Sequence, residues 1–353
     1  MKSPLRSSFF LRVVLLAAGV AFATELAAAH AAAPQPLYRD PVYDGAADPV
    51  VIWNPAAGRW WMFYTNRRAN VPGLSGVAWV HGTPIGIAES ADGGLSWKYA
   101  GDADIRLPVE LAGNPPTFWA PDVFVAPDGV YHMFLTVVPG VFEDWNHPRT
   151  IVHLTSRDLR TWDHAQPLTL ASDRVIDAVV RPLPDGTWRM WYNNERDHKA
   201  IYYADSPDLT TWTDRGKCPG TSERPGEGPY VFEFQGKNWM LVDVWKGIGV
   251  YHSEDLVHWT VQPGDLLKEP GHGTDDDTYG HHVGVVVDHG HAYCFYFTHP
   301  KKTTGEQTTS GREAVERRSS IQVVELFMRD GALTCDRDTP TAIQLTRALP
   351  PKP

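Results

Sequence analysis

Five residues able to do acid–base chemistry stand at one recurring place in this chain. Asp48 in "AADPVV", Asp122 in "WAPDVF", Asp177 in "VIDAVV", Glu227 in "GEGPYVF" and His281 in "YGHHVGV" each open an apolar run. They follow one another at intervals of 74, 55, 50 and 54 residues. Carboxylates are common in turns. Four at one repeat phase, each beside an apolar strand, are not explained by a solvated surface. Carboxylates brought together by the repeat disfavour one another's ionisation, and partial burial adds to this. At least one should hold its proton to a higher pH. A protonated carboxyl facing an ionised one is the pair that cleavage of a glycosidic bond requires. One protonates the departing oxygen, and the other activates water or attacks the sugar.

The elements that must position these residues repeat as well. "SADGGLSW" (from Ser90), "SRDLRTW" (from Ser156), "SPDLTTW" (from Ser206) and "SEDLVHW" (from Ser253) share a Ser, an Asp two residues on, and a later Trp, with Ser-to-Ser steps of 66, 50 and 47 residues. A recurrence at such distances is a repeat signal. Each copy ends a short strand-like run: "IGIAES", "IVHLTS", "IYYADS" and "IGVYHS". Before each lies an aromatic run ("RWWMFYTN", "GVYHMFLTV", "TWRMWYNN", "NWMLVDVW"), and before that a third ("DPVVIW", "PDVFVA", "DAVVRPL", "PYVFEF"). Clusters of Gly, Pro, Asn and Asp separate the runs. A fifth, altered copy is supplied by "HHVGVVVDHGHAYCFYFTH" and "SSIQVVELFMRDGALT", which lacks the Ser/Asp/Trp turn; terminal repeats are commonly atypical. The pattern predicts an all-β fold, a five-bladed β-propeller of four-stranded antiparallel blades around a central channel. Asp48, Asp122, Asp177, Glu227 and His281 are then expected to open the innermost strands at a shared phase. In the repeated turn the Asp should bond backbone N–H groups and the Trp should pack between blades. The first copy also matches the Asp-box pattern of sialidases, which speaks for the turn and not for sialidase chemistry.

Composition narrows the class. With 42% hydrophobic and 21% charged residues the chain is globular, and its formal net charge of -10 argues against a nucleic-acid partner. Lys2 and Arg6, the apolar "FFLRVVLLAAGVAFA" and the small-residue exit "AHAAAPQP" read as a secretory signal over residues 1–33. That predicts a secreted or periplasmic protein with no membrane span after cleavage, and one domain over residues 34–353. Cys218, Cys294 and Cys335 allow at most one intramolecular bridge, so this is not a disulfide scaffold.

At this point the sequence resembles glycoside hydrolase family 43 and its five-bladed propeller relatives. The resemblance covers Tyr38 to about Leu345 and rests on "AADPVVIW", "FWAPDVF", "IDAVVRPLPDGTWRMWY", "EGPYVFEFQGKNWML", "GHHVGVVV" and "RRSSIQVVELFMRDG". It implies Asp48 as general base, Glu227 as general acid and Asp177 as the carboxylate that orients and tunes the acid, in a hydrolysis with inversion. It also implies His281 at the channel centre, near water or calcium. Within the family, "HGTPIGIAESADGGLSWKY" resembles a subgroup with β-D-galactofuranosidases. The third blade departs from the family's usual "IDP", reading "IDAVVRP", and Asp122 adds a second-blade carboxylate expected to touch sugar.

Further substrate contacts are expected from Trp119, Arg67, His81, Arg181, Glu195, Trp245, His281 and His282, since Arg and Trp suit sugar hydroxyls and ring faces. The expected partner is an oligo- or polysaccharide, attacked from one end. No cofactor is required on this reading, with at most a structural calcium near His281. "GTDDDTYG", carrying Asp275 to Asp277, reads as a solvated acidic loop ahead of a hard-cation site. The histidines of "HHVGVVVDHGHAYCFYFTH" alternate between strand faces, which argues against zinc. Two other functions fit the same scaffold: a non-catalytic carbohydrate-binding propeller, and a sugar phosphorylase or transferase. A lectin has no need of Asp48, Asp177 and Glu227 together. A phosphorylase would need a phosphate-binding cluster of cations beside the acid.

Overall fold

The computed structural model describes Met1 and residues 31–113, 115–221, 223–300 and 314–346. The expected signal segment falls almost wholly outside the described residues. Among those described, no helix is long and apolar enough to cross a membrane. The chain is a five-bladed propeller, each blade four antiparallel strands in sequence order. Blade 1 is Ala46–Asn54, Arg59–Asn66, Ile85–Ser90 and Lys98–Asp102; blade 2 is Thr117–Val125, Tyr131–Val138, Thr150–Ser156 and Thr161–Pro167. Blade 3 is Val175–Pro182, Trp188–Asn194, Ala200–Ser206 and Thr213–Lys217; blade 4 is Glu227–Phe234, Lys237–Asp243, Ile248–Ser253 and Thr260–Val261. Blade 5 is His281–Asp288, His291–Thr298, Ser320–Arg329 and Ala332–Cys335. Asp104–Ile105 adds a short parallel strand to the outer edge of blade 2.

The aromatic runs became second strands because those strands are covered on both faces. Tyr131–Val138 is buried at every residue, which is why such runs read as continuously apolar and not alternating. The Ser/Asp/Trp turns do what their residues suggest. Asp158 Oδ1 accepts the N–H groups of Arg160 and Thr161, and Ser156 Oγ accepts that of Leu159. Leu159, Leu209 and Leu256 take φ of 62, 67 and 59°, so the turn forces a left-handed residue where the first copy has Gly93 and Gly94. The tryptophan of each turn packs edge-on against an aromatic ring of the preceding blade's second strand: Trp97 on Phe295, Trp162 on Phe63, Trp212 on Phe134 and Trp259 on Trp191. In blade 5 the corresponding hairpin is made by Asp330 and Gly331, both at positive φ, as a two-residue turn requires.

Both ends of the propeller close the ring. Tyr38 pairs with Ile321 of blade 5, and Leu345 N–H donates to Gly93 O in the blade 1 turn. The acidic loop, expected to be solvated, is buried at Asp276 and exposed at Asp277. Asp276 is fully buried, accepts Tyr296 Oη and is bound by the Arg337 guanidinium, with Nε at 3.0 Å. Asp275 accepts Ser320 Oγ. Asp276 is thus committed to pinning the last strand's exit and Asp275 to the start of the third strand, while Asp277 is exposed, so the loop is solvated only in part. Cys218, Cys294 and Cys335 are free thiols.

Candidate active site

Every innermost strand breaks register with its second strand at the same place. The breaks fall between Ala47 and Val50, Trp119 and Asp122, Ile176 and Val179, Glu227 and Tyr230, and His281 and Gly284. Each leaves two residues outside the ladder, which re-aims the side chains there. The first of each pair is Asp48, Ala120, Asp177, Gly228 and His282. The first four have φ of 53, 45, 58 and 57°. Asp tolerates this conformation better than most residues. Pro49, Pro121 and Pro229 supply the second position in three blades, where no N–H is needed. The shared phase read from sequence is therefore corrected. Asp48 and Asp177 occupy it, Glu227 and His281 stand one residue earlier, and Asp122 two residues later.

On the second strands of blades 1 to 4 a polar residue bonds the bulge of the next blade or, for Asn193, the residue just before its strand. Thr65 Oγ1 accepts Ala120 N–H at 2.8 Å, Thr136 Oγ1 accepts Asp177 N–H at 3.0 Å, and Asp243 Oδ2 accepts His282 N–H at 3.1 Å. Asn193 Nδ2 donates to Gly226 O. Neighbouring blades are thus locked where the carboxylates emerge.

At the centre lies His282. Its Nδ1 is 3.6 Å from Asp48 Oδ1 and 3.9 Å from Asp177 Oδ2. Asp177 Oδ2 also accepts Gly228 N–H at 3.1 Å, which ties it to the peptide following Glu227. Burial is the main reason Asp177 resists ionisation. The His282 ring opposes it, Glu227 and Asp48 add to it, and the carboxyl is pushed up to about 7. A carboxyl that keeps its proton was expected from the clustering; it is Asp177. His281, expected at the channel centre, instead turns its Nδ1 to Asp243 Oδ2 at 3.2 Å. A one-residue step in a strand sends the side chain to the other face.

Glu227, about a quarter exposed, faces Lys199, whose Nζ is 2.6 Å from its Oε2 and 3.1 Å from Glu195 Oε1. Burial works against the Lys199 ammonium, but Glu227 and then Glu195 outweigh it and hold its proton more tightly than usual. Lys199 also lies 5.3 Å over the Trp245 ring. Its carbonyl accepts Gly226 N–H and Asn193 Nδ2, so the turn of His198 and Lys199, both at positive φ, is clamped beside Glu227. Arg149 pairs with Glu195 at 2.5 Å, donates to Trp145 O and lies 5.5 Å over Trp119. Trp145 is half exposed. Lys199, Arg149 and Trp145 were missed by the sequence reading. They lie in the loops between second and third strands, which also carry Arg67, His81, Glu195 and Trp245, and that repeat position was the available signal.

Several expected sugar contacts are committed elsewhere. Asp122 is buried and accepts Val180 N–H at 2.8 Å and Arg181 Nη1 at 3.1 Å. Arg181 in turn donates to Val231 O and lies 4.8 Å over Tyr230. The pair joins blades 2, 3 and 4 and is not part of the carboxylate cluster. His81 is fully buried, and burial pushes its imidazole down to about 4. Trp119 is nearly buried and donates Nε1–H to Val80 O. These two form a wall beneath Trp145, with ring centroids 5.2 Å apart. Arg67 donates to Asp48 Oδ1 at 3.3 Å.

Among the described residues no group of three or more His, Cys, Asp or Glu side chains is placed to hold a metal ion, at His281 or elsewhere. Calcium takes six to eight oxygen donors, whereas His281 offers nitrogen. The adjacent Asp243 is consumed by His281, His282 N–H and Trp245 N–H.

No protein-family model matches the chain, and no curated protein matches it. Its fold is that of many solved structures. A thermostable family-43 glycoside hydrolase superposes with a TM-score of 0.58 at 17% identity, covering 90% of this chain and 99% of its own. A family-43 enzyme from Xanthomonas citri complexed with xylotriose gives 0.61 at 15% identity, covering 86% and 93%. A family-43 β-1,3-galactosidase with galactodeoxynojirimycin gives 0.57 at 14% identity, covering 84% and 96%. The fold is thus shared with family-43 glycoside hydrolases over nearly the whole propeller, in agreement with the resemblance carried by the strand-opening motifs.

Proposed function

We propose that this chain is a secreted glycoside hydrolase that removes furanosyl or pentose-like residues from the end of an oligo- or polysaccharide by inversion. Its substrates are β-D-galactofuranosides, α-L-arabinofuranosides or β-D-xylosides. Asp48 is the general base, Glu227 the general acid, and Asp177 the carboxyl that orients the acid. The observation that carries this reading is the convergence of Asp48, Asp177 and the Glu227–Gly228 peptide around His282. Structural neighbours solved with xylotriose or with galactodeoxynojirimycin support a sugar substrate.

In the reaction, Asp48 takes a proton from water as the water's oxygen attacks the anomeric carbon. Glu227, which must first take up a proton despite its pairing with Lys199, delivers that proton to the departing oxygen as the glycosidic bond breaks, and is left as a carboxylate facing Lys199. Asp177 holds the Gly228 N–H and so fixes the strand from which Glu227 projects. The phosphorylase alternative asks for free cations at the acid. Lys199 and Arg149 are there, but each is paired with carboxylate, so phosphate would have to displace Glu227 or Glu195.

The test is kcat/KM for Glu227→Gln and Asp48→Asn on an activated aryl glycoside and on an unactivated disaccharide. Loss of a general acid typically costs on the order of 10²–10⁴-fold. For Glu227→Gln the loss should concentrate on the disaccharide, because an activated phenolate leaves with little protonation. Asp48→Asn should slow both substrates alike. Equal losses for Glu227→Gln, or near-wild-type rates, would overturn the acid assignment. Binding of oligosaccharide with no turnover by the wild-type protein would favour the lectin reading.

A further inference from the structure

Arg67 and His299 lie 232 residues apart in the chain and meet at the ring closure between blades 1 and 5. Arg67 Nη2 donates to Asp48 Oδ1 at 3.3 Å, and its Nη1 meets His299 Nε2 at 3.1 Å. His299 is 5% exposed, and its Nδ1 lies 2.8 Å from Arg318 O. These partners fix the tautomer. A guanidinium only donates and a carbonyl only accepts, so Nδ1 carries the hydrogen and Nε2 presents its lone pair to Arg67. The guanidinium is further held 4.5 Å over the Phe297 ring. The His299 ring is flanked by Trp79 and His281 at 6.1 and 5.9 Å. Arg67 N–H donates to Gly45 O, and a Cβ on Gly45 would come within 1.8 Å of Arg67 O, so the backbone has one seat.

We infer that His299 is a positioning residue for Asp48, acting through Arg67: the imidazole fixes one end of the guanidinium so that the other end orients the carboxylate toward water. The inference rests on the reading of Asp48 as the base. It differs from the sequence expectation that Arg67 binds sugar, because both terminal nitrogens of Arg67 are engaged with protein.

Two substitutions separate this role from a structural one. His299→Gln places a carbonyl oxygen near the Nε2 position and keeps an acceptor for Arg67. His299→Asn places its amide near the Nδ1 position, keeps the contact to Arg318 O and cuts the relay. A misplacement near 1 Å can cost up to about 10²-fold. We therefore expect His299→Asn to lower kcat on the order of 10-fold on activated and unactivated substrates alike, with little change in KM. His299→Gln should stay within about threefold of wild type. If the Arg318 contact were what mattered, the order would reverse, and a reversal overturns the inference; so would equal activities for the two variants. Arg67→Met and the double variant Arg67→Met/His299→Asn provide a second measurement. Residues of one relay lose no more together than Arg67→Met loses alone, whereas additive losses would refute the coupling. Full activity of Asp48→Asn would remove the base assignment itself. Inactivity of Asp48→Asn with unimpaired Arg67→Met and His299→Asn would remove only the relay.

Discussion

Replacing Asp177 by Asn should make the protein more stable, and more so as pH rises. The Asp177 carboxyl is raised from an ordinary 3.8 to about 7 in the fold, first by burial and then by Glu227 and Asp48, against the pull of His282. Below about pH 4 the carboxyl is protonated both folded and unfolded, and it imposes no penalty. Between about 4 and 7 the unfolded chain releases its proton while the folded chain keeps it, so the unfolded state gains progressively. Above about 7 both forms are ionised and the penalty is constant. At 1.36 kcal/mol for each tenfold change, its full size is on the order of 4 kcal/mol. Asn is isosteric, cannot ionise, and keeps an oxygen for the Gly228 N–H. Equilibrium urea unfolding of wild type and Asp177→Asn from pH 4 to 9 measures the difference directly. The variant's advantage should be near zero at pH 4, grow through neutrality and level off above pH 7, while its turnover falls. A difference independent of pH, or a variant less stable than wild type at pH 8, would refute this account of the cluster.

Two other outcomes follow from close contacts. Gly228→Ala adds a Cβ 2.6 Å from His282 Nδ1 at a backbone φ of +57°; thermal melting should show a loss of about 1–3 kcal/mol, and kcat/KM should fall on the order of 10²-fold as the His282 ring is displaced. Arg337→Met strands the fully buried Asp276 carboxylate, and equilibrium unfolding should show a loss of about 3–5 kcal/mol, with kcat of the folded fraction unchanged.

Much of the fold was legible because its signals are local. The Ser/Asp/Trp turns are closed by hydrogen bonds spanning two to four residues, so their residue types announce them wherever they stand. The aromatic second strands and the Gly- and Pro-rich turns carry their own burial and backbone requirements. Asp48, Asp177 and Glu227 were visible as strand-opening carboxylates for the same reason. The bulge was not legible, because a step of one residue leaves the composition of the segment unchanged while moving His282 into the cluster and His281 out of it. Asp122 and Arg181 looked like sugar-binding groups by type. Their partnership spans 59 residues and crosses two blades, and nothing near either residue predicts it.

By itself the sequence determined the repeat, the blade turns and the set of carboxylates available for chemistry, since each depends on side chains acting on their own few neighbours. Only the tertiary structure decided what those groups face. Ring closure brings His299 to Arg67, whose other end reaches Asp48 within blade 1. A clamped turn sets Lys199 against Glu227, and burial leaves Asp177 as the carboxyl that keeps its proton. Charge state and hydrogen-bond partnership depend on distance and on exclusion of water, and both are properties of the assembled blades and not of any one strand.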